Sequence, residues 1–302
     1  MRTKKLREYS IDSLIKTLFT TSVALTAFAA NSVLCRLALG EQTIDAASFT
    51  MIRLLSGAIV LFLILQLPGK TSNSTSKGSW FAASMLFLYA ISFSFAYITL
   101  DTGTGALILF GSVQLTMILI TLYKGTRLHT VEWAGVLISF SGFVFLILPG
   151  ISTPSFSGFI LMTVAGTAWG IYTLAGRDSV NPLADTTQNF IKTIPLIIII
   201  GIITIFTNQD IQLSQKGIVL AVLSGAIASG IGYTIWYMAL ADLTAAQAAV
   251  VQLLVPVIAA AGGVIFVDEI ITSRLLFSSV MILGGILLVV SGRYYLLQKK
   301  TT

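Results

Sequence analysis

The chain has 302 residues, 56% of them hydrophobic and only 10% charged, where a soluble domain carries about a quarter charged. So few charges cannot cover a water-facing surface of this size, which excludes an ordinary soluble domain. The formal net charge of +6 does not indicate nucleic acid either, because Lys and Arg stand in short loops and tails rather than on one face. Apolar runs of roughly 20 residues, enough to cross a bilayer, predict spans at 17–39, 46–67, 79–99, 103–123, 131–149, 157–177, 185–206, 215–240, 244–266 and 273–295. Arg2, Lys4, Lys5, Arg7 and Lys16 precede the first run. That run is too long for a signal peptide's apolar region and many more follow, so an uncleaved first span is expected. Polar or turn-forming stretches separate the runs, notably 68–77, Pro149 to Pro154 at the midpoint, Asn208-Gln209-Asp210 and Val267-Asp268-Glu269. In lipid such spans must be helical, since every backbone group needs an internal partner.

Charge predicts orientation. With the N-terminus in the cytoplasm and ten alternating spans, the inner segments hold Arg2, Lys4, Lys5, Arg7, Lys16, Lys70, Lys77, Lys124, Arg127, Arg177, Arg293, Lys299 and Lys300. The outer loops hold only Arg36, Lys216 and Arg274. This bias follows the positive-inside rule and places both termini in the cytoplasm of a multi-pass inner-membrane protein.

The two halves repeat at an offset of about 140 residues. Arg36 closes the first span and Arg177 the sixth; Tyr97-Ile98-Thr99-Leu100 recurs as Tyr237-Met238-Ala239-Leu240, and Thr104-Gly105-Ala106 as Thr244-Ala245-Ala246. Gly142 recurs as Gly285 after a small slip. Five spans per half force the second half to enter from the opposite side. The expected fold is therefore an all-α membrane protein of ten transmembrane helices in two inverted five-helix repeats, 1–150 and 151–302, forming one transmembrane domain. Inverted repeats are a device of secondary transporters, whose sites lie at the midplane between the halves.

Ten spans in a chain of this length, together with Trp169-Gly170-Ile171-Tyr172 in span six, Arg53 in span two, Tyr233, Trp236 and Ala239-Leu240 in span eight, Pro256 in span nine and Glu269 at its end, resemble the EamA family of the drug/metabolite transporter superfamily. The likeness covers nearly the whole chain. Phe28-Ala29-Ala30-Asn31 departs from the family's Trp-Gly start in the first half, and Thr126 stands where a Glu is usual. The resemblance implies export or exchange of amino acids and related metabolites by alternating access. A membrane-embedded ligand-binding receptor or assembly subunit that does not translocate its ligand is the alternative.

No catalytic set emerges. His129 is the single histidine and falls in a loop, and Cys35, the single cysteine, has no partner at helical spacing. Gly69-Lys70-Thr71 fails as a phosphate-binding loop because Ile64 and Leu65 stand where its first glycine would have to fall. An enzyme is not expected, nor any metal or cofactor. All twelve Asp and Glu fall in tails, loops or the end turns of a span, so proton coupling through an intramembrane carboxylate is not implied. The expected partners are a small-molecule substrate and the lipid bilayer, with no nucleic acid.

The polar and aromatic residues within spans are the candidate substrate-binding set: Asn31, Arg53, Gln114, Trp169, Tyr172, Lys192, Tyr233, Trp236 and Gln252. Amides, including Gln247, are costly against lipid and either bond between helices or line a cavity. The aromatics either line that cavity or belt the interfaces. Pro256 lies within span nine and predicts a kink. Arg53 and Lys192 are the charges furthest from any span end; each either snorkels or lines the pathway, since a charge left in hydrocarbon costs about 3 kcal/mol. Asp185, Gln188 and Lys192 share one helix face, which favours the pathway.

Overall fold

The computed structural model describes residues 2–67, 78–123, 125, 129–148, 154–176, 179–206, 211–240, 243, 248 and 251–299. The helices are α1 (Arg2–Gly40), α2 (Ala46–Leu65), α3 (Trp80–Ala96), α4 (Thr102–Tyr123) and α5 (Thr130–Ile147). They continue with α6 (Phe156–Gly176), α7 (Pro182–Phe206), α8 (Gln215–Leu240), α9 (Val255–Val267) and α10 (Ser273–Lys299). The protein is an all-α membrane protein. Eight helices among the described residues are long and apolar enough to cross a membrane; α3 and α9 are apolar but shorter. The loop 68–77, Arg177 and Gln247 lie outside the described residues.

The starts are set by side-chain caps that satisfy orphan backbone donors. Asp45 accepts from Ser48 N–H (2.8 Å) at α2, Asn181 from Ala184 N–H (3.2 Å) at α7, and Ser214 from Gly217 N–H (3.0 Å) at α8. Pro182 at the first position of α7 lacks an N–H that the helix would leave unpaired in any case. α7 breaks its pitch at Thr193, just before Pro195. Pro256 has the same effect at α9. Helical residues 248, 251 and 252 precede a turn at Leu253–Leu254, and α9 restarts at Val255, so the span is interrupted just before Pro256, as the sequence predicts. α9 ends at Asp268 in the left-handed conformation (φ 55°), and the Glu269 N–H turns back to donate to the Gly263 carbonyl (3.1 Å).

Small residues set the helix crossings. α5 packs along α10 where a Cβ on Gly135 would lie 2.5 Å from the Gly285 carbonyl, and Ser139 Oγ donates to the Ile282 carbonyl (3.0 Å). α6 lies on α4 through Gly166, whose added Cβ would come within 2.5 Å of the Leu109 carbonyl. α1 packs against α8 and α9, α6 against α3 and α4, and α2 against α7 and α8. α8 passes through a π-helical stretch, Leu223–Ile231, a wider turn often found at functional sites. Within it Gly225 lets the α2 backbone at Arg53 approach.

Candidate functional site

Five helices converge on one buried aromatic cluster. Its centre is Phe28 of α1, whose ring centroid lies 5.5 Å from Trp236, 5.8 Å from Tyr233, 6.3 Å from Trp169 and 6.5 Å from Phe110. Trp169 of α6 in turn lies 4.8 Å from Tyr233, 4.9 Å from Tyr89 and 5.4 Å from Tyr172. Most of these pairs meet at tilted or edge-on angles, which suit the ring quadrupoles. Within the cluster is a cavity walled by Phe28, Asn31, Tyr89, Phe93, Leu109, Phe110, Trp169 and Tyr233. Its volume is about 10 Å³, room for no more than one water. In this conformation the rings close on one another.

One corner of the wall is polar. Asn31 Oδ1 accepts from Ser224 Oγ (2.7 Å), and Asn31 Nδ2 donates to Ser229 Oγ (3.3 Å). Both serines belong to the π-helical turn of α8. Arg53 stands behind this corner, 1% exposed. Its Nε donates to Ser229 Oγ (3.3 Å) and its Nη2 to the Tyr89 hydroxyl (2.9 Å). The guanidinium carbon is 4.8 Å from the Phe93 ring centre and 5.2 Å from that of Tyr89. Nη1 is buried without a hydrogen-bond partner, and among the described residues no carboxylate pairs with Arg53. The side chain therefore does not snorkel; it is enclosed by protein.

The remaining sequence-predicted residues spread around this centre. Asn31, Trp169 and Tyr233 stand in the cavity wall. Trp236 and Tyr172 are buried one ring behind it. Gln114 is buried in α4 but is not among the wall residues. Gln252 turns its amide onto its own helix, donating to the Ala248 carbonyl (3.2 Å). Lys192 is half-buried with its ammonium 5.5 Å from the Trp80 ring centre. Arg53 and Lys192 thus rest on rings of the same helix, Tyr89 and Trp80, roughly 14 Å apart at 1.5 Å per residue. Asp185, Gln188 and Lys192 form a half-exposed face of α7, whereas Thr186, Thr187 and Asn189 are its buried one. Sequence reasoning missed Tyr89, Phe93, Phe110, Ser224 and Ser229. A tyrosine in the apolar α3 and two serines in α8 are weak signals beside a charge.

A second polar cluster ties helix ends together at the C-terminal end of α1. Arg36 Nε pairs with Glu269 (3.2 Å), and its Nη2 lies 3.6 Å from Asp101. Arg36 Nη1 donates to the carbonyls of Tyr97 (3.2 Å) and Ile98 (3.3 Å). The Glu269 carboxylate also accepts from the Thr102 N–H (2.8 and 2.9 Å) and hydroxyl (3.0 Å), at the start of α4. Gly263 gives the carboxylate room, since a Cβ there would meet it. On the same side Lys216 pairs with Glu41, and the backbone around Thr43 and Asp45 bonds to residues 212 and 214. At the opposite end Ser79 N–H donates to Asn189 Oδ1 (2.9 Å), joining α3 to α7.

A family model described as the EamA-like transporter family matches residues 156–291. An uncharacterized protein of Pseudomonas aeruginosa is 46% identical over 241 residues, covering 80% of this chain and 83% of that protein. An uncharacterized transporter of Archaeoglobus fulgidus is 25% identical over 230 residues, covering 72% of this chain and 78% of the relative. A solved protein structure superposes with a TM-score of 0.61 at 16% identity, over 89% of this chain and 94% of its own, a likeness of fold alone.

Proposed function

We propose that this chain, which belongs to the EamA-like transporter family, is a secondary transporter of a small metabolite, an amino acid or related compound, working by alternating access in export or exchange. Ten spans form two inverted five-helix halves, 1–150 and 151–302, in the inner membrane with both termini cytoplasmic. The pairing of helices supports this. α1 contacts α8 and α9, and α6 makes the corresponding contacts with α3 and α4, as halves related by inversion must.

The single observation that carries the proposal is the cavity at the meeting of α1, α3, α4, α6 and α8, closed down to the size of one water. A cargo fits only if the rings separate, so binding requires the bundle to open. The Arg36–Glu269 pair links α1 of the first half to the end of α9 in the second, and acts as a seal on the outer side. Asn31, Trp169 and Tyr233 contact cargo directly, with Tyr172 and Trp236 supporting them. Gln114, Gln252 and Lys192 border the route as the helices part.

Counterflow tests this. Proteoliposomes preloaded with an unlabelled amino-acid mixture are to accumulate external labelled amino acid transiently above its equilibrium level. Saturable binding to the purified protein without such accumulation makes it a ligand-binding receptor instead.

A further inference from the structure

The Arg53 guanidinium is nearly fully buried and, among the described residues, has one nitrogen without a partner and meets only hydroxyls and ring faces. Arginine does not shed its proton in proteins, so the site holds a permanent positive charge. An uncompensated charge in a low-dielectric interior is destabilising. A purely structural brace between α2, α3 and α8 does not need one: Tyr89 and Ser229 are neutral hydroxyls that a neutral donor satisfies equally. None of the eight wall residues of the adjacent cavity is charged, so nothing in the wall balances Arg53.

We infer that Arg53 is the anion subsite of the carried molecule. The cargo presents a carboxylate to Nη1 of Arg53, with the Asn31 amide and the Tyr89 hydroxyl as flanking donors in reach of the same corner. A guanidinium favours a planar carboxylate through paired N–H bonds. The rest of the cargo takes the space that Phe28, Trp169 and Tyr233 close in this conformation, so its body is apolar or aromatic. One cation and an uncharged wall specify one negative charge. The substrate class is a small organic monocarboxylate with an apolar or ring-bearing body. The inference deepens the transporter reading and rests on it. It carries a consequence for mode: the loaded site is neutral and the unloaded site is charged, so the loaded protein crosses between states more readily and exchange outpaces net flux.

The test uses the purified full-length protein, with phenylacetate, hexanoate and 3-phenylpropanoate as carboxylate probes. Phenylacetamide and phenethylammonium are the neutral and cationic counterparts. The carboxylates are expected to raise the melting temperature saturably, and phenylacetamide and phenethylammonium are not. Arg53→Met is expected to remove the shift. Arg53→Lys, which keeps the charge without the fork, is expected to weaken apparent affinity about tenfold or more. Ligand-free Arg53→Met is expected to melt at or above the wild type, because it removes an unbalanced charge. Equal stabilisation by phenylacetamide, a shift that persists in Arg53→Met, or no shift with any carboxylate overturns the inference. So does a ligand-free Arg53→Met that melts well below wild type while Arg53→Lys does not bind more weakly. Counterflow in proteoliposomes separates the two layers. Arg53-dependent stabilisation without counterflow sinks the transporter reading and leaves the subsite. Counterflow of phenylacetamide or phenethylammonium alone leaves the transporter and sinks the subsite.

Discussion

Substituting Glu269→Gln is expected to open the end of the bundle that Arg36 closes. The carboxylate holds the Arg36 Nε at 3.2 Å and both the N–H and hydroxyl of Thr102 at 2.8 to 3.0 Å. Side-chain exposures of 20% for Arg36 and 13% for Glu269 leave limited solvent screening. Glutamine keeps the shape and one acceptor but loses the charge. A hydrogen bond to a charged group contributes about 1 kcal/mol more than a neutral one, so the three donors' bonds weaken by about 3 kcal/mol together. Asp101, 59% exposed and 3.6 Å from Arg36, offsets little of this, as exposed pairs contribute about 0–1 kcal/mol. At about 1.4 kcal/mol per factor of ten, the open population rises ~100-fold. The chain carries its own reporter: Cys35, its single cysteine, is fully buried one residue before Arg36. Its maleimide modification rate in detergent tracks the open fraction when opening and closing are fast. A rate within threefold of wild type for Glu269→Gln refutes the seal.

Three further outcomes are expected. Reporter fusions after Lys300 and in the 152–155 loop are to give opposite sidedness; the same side for both contradicts ten spans. Trp169→Ala removes a ring that meets Phe28, Tyr89, Tyr172 and Tyr233. It is to lower transport more than surface abundance, although truncating a buried Trp costs about 3–5 kcal/mol of stability; equal falls in both mark a packing role only. Lys192→Gln is to slow uptake of anionic cargo and spare neutral cargo, because it removes a half-buried cation at the Trp80 ring, on the helix whose Tyr89 contacts Arg53. Wild-type rates for Lys192→Met with every substrate make it a snorkelling anchor.

Helix positions were legible because hydropathy alone decides them in lipid. Runs at 46–67 and 215–240 meet α2 and α8 within a few residues. Pro256 was legible too: a proline within an apolar run removes a backbone hydrogen bond, and the helix is interrupted just before it, as at Thr193 before Pro195. Arg53 stood out as a charge in an apolar run. Its partners Tyr89 and Ser229 lie 36 and 176 residues away, and no local periodicity joins them. Gln252 shows the converse limit. A polar residue in a span must find a partner, but an amide four residues on satisfies itself within its own helix. Spacing tells which residues share a face; the rotation of that face towards the bundle centre is fixed by contacts such as Gly225 against the α2 backbone, which act between distant segments.

Alternating access requires the two ends of the bundle to move in opposite senses. In a Cys35→Ala background, spin labels at Gln42 and Ile270 report the end sealed by Arg36–Glu269, and labels at Tyr123 and Val180 report the other. Double electron–electron resonance distances in proteoliposomes are expected to show two populations at each end. Adding Glu269→Gln is expected to lengthen the Gln42–Ile270 distance while shortening Tyr123–Val180. A single unchanged distance at both ends, or lengthening at both together, contradicts the account.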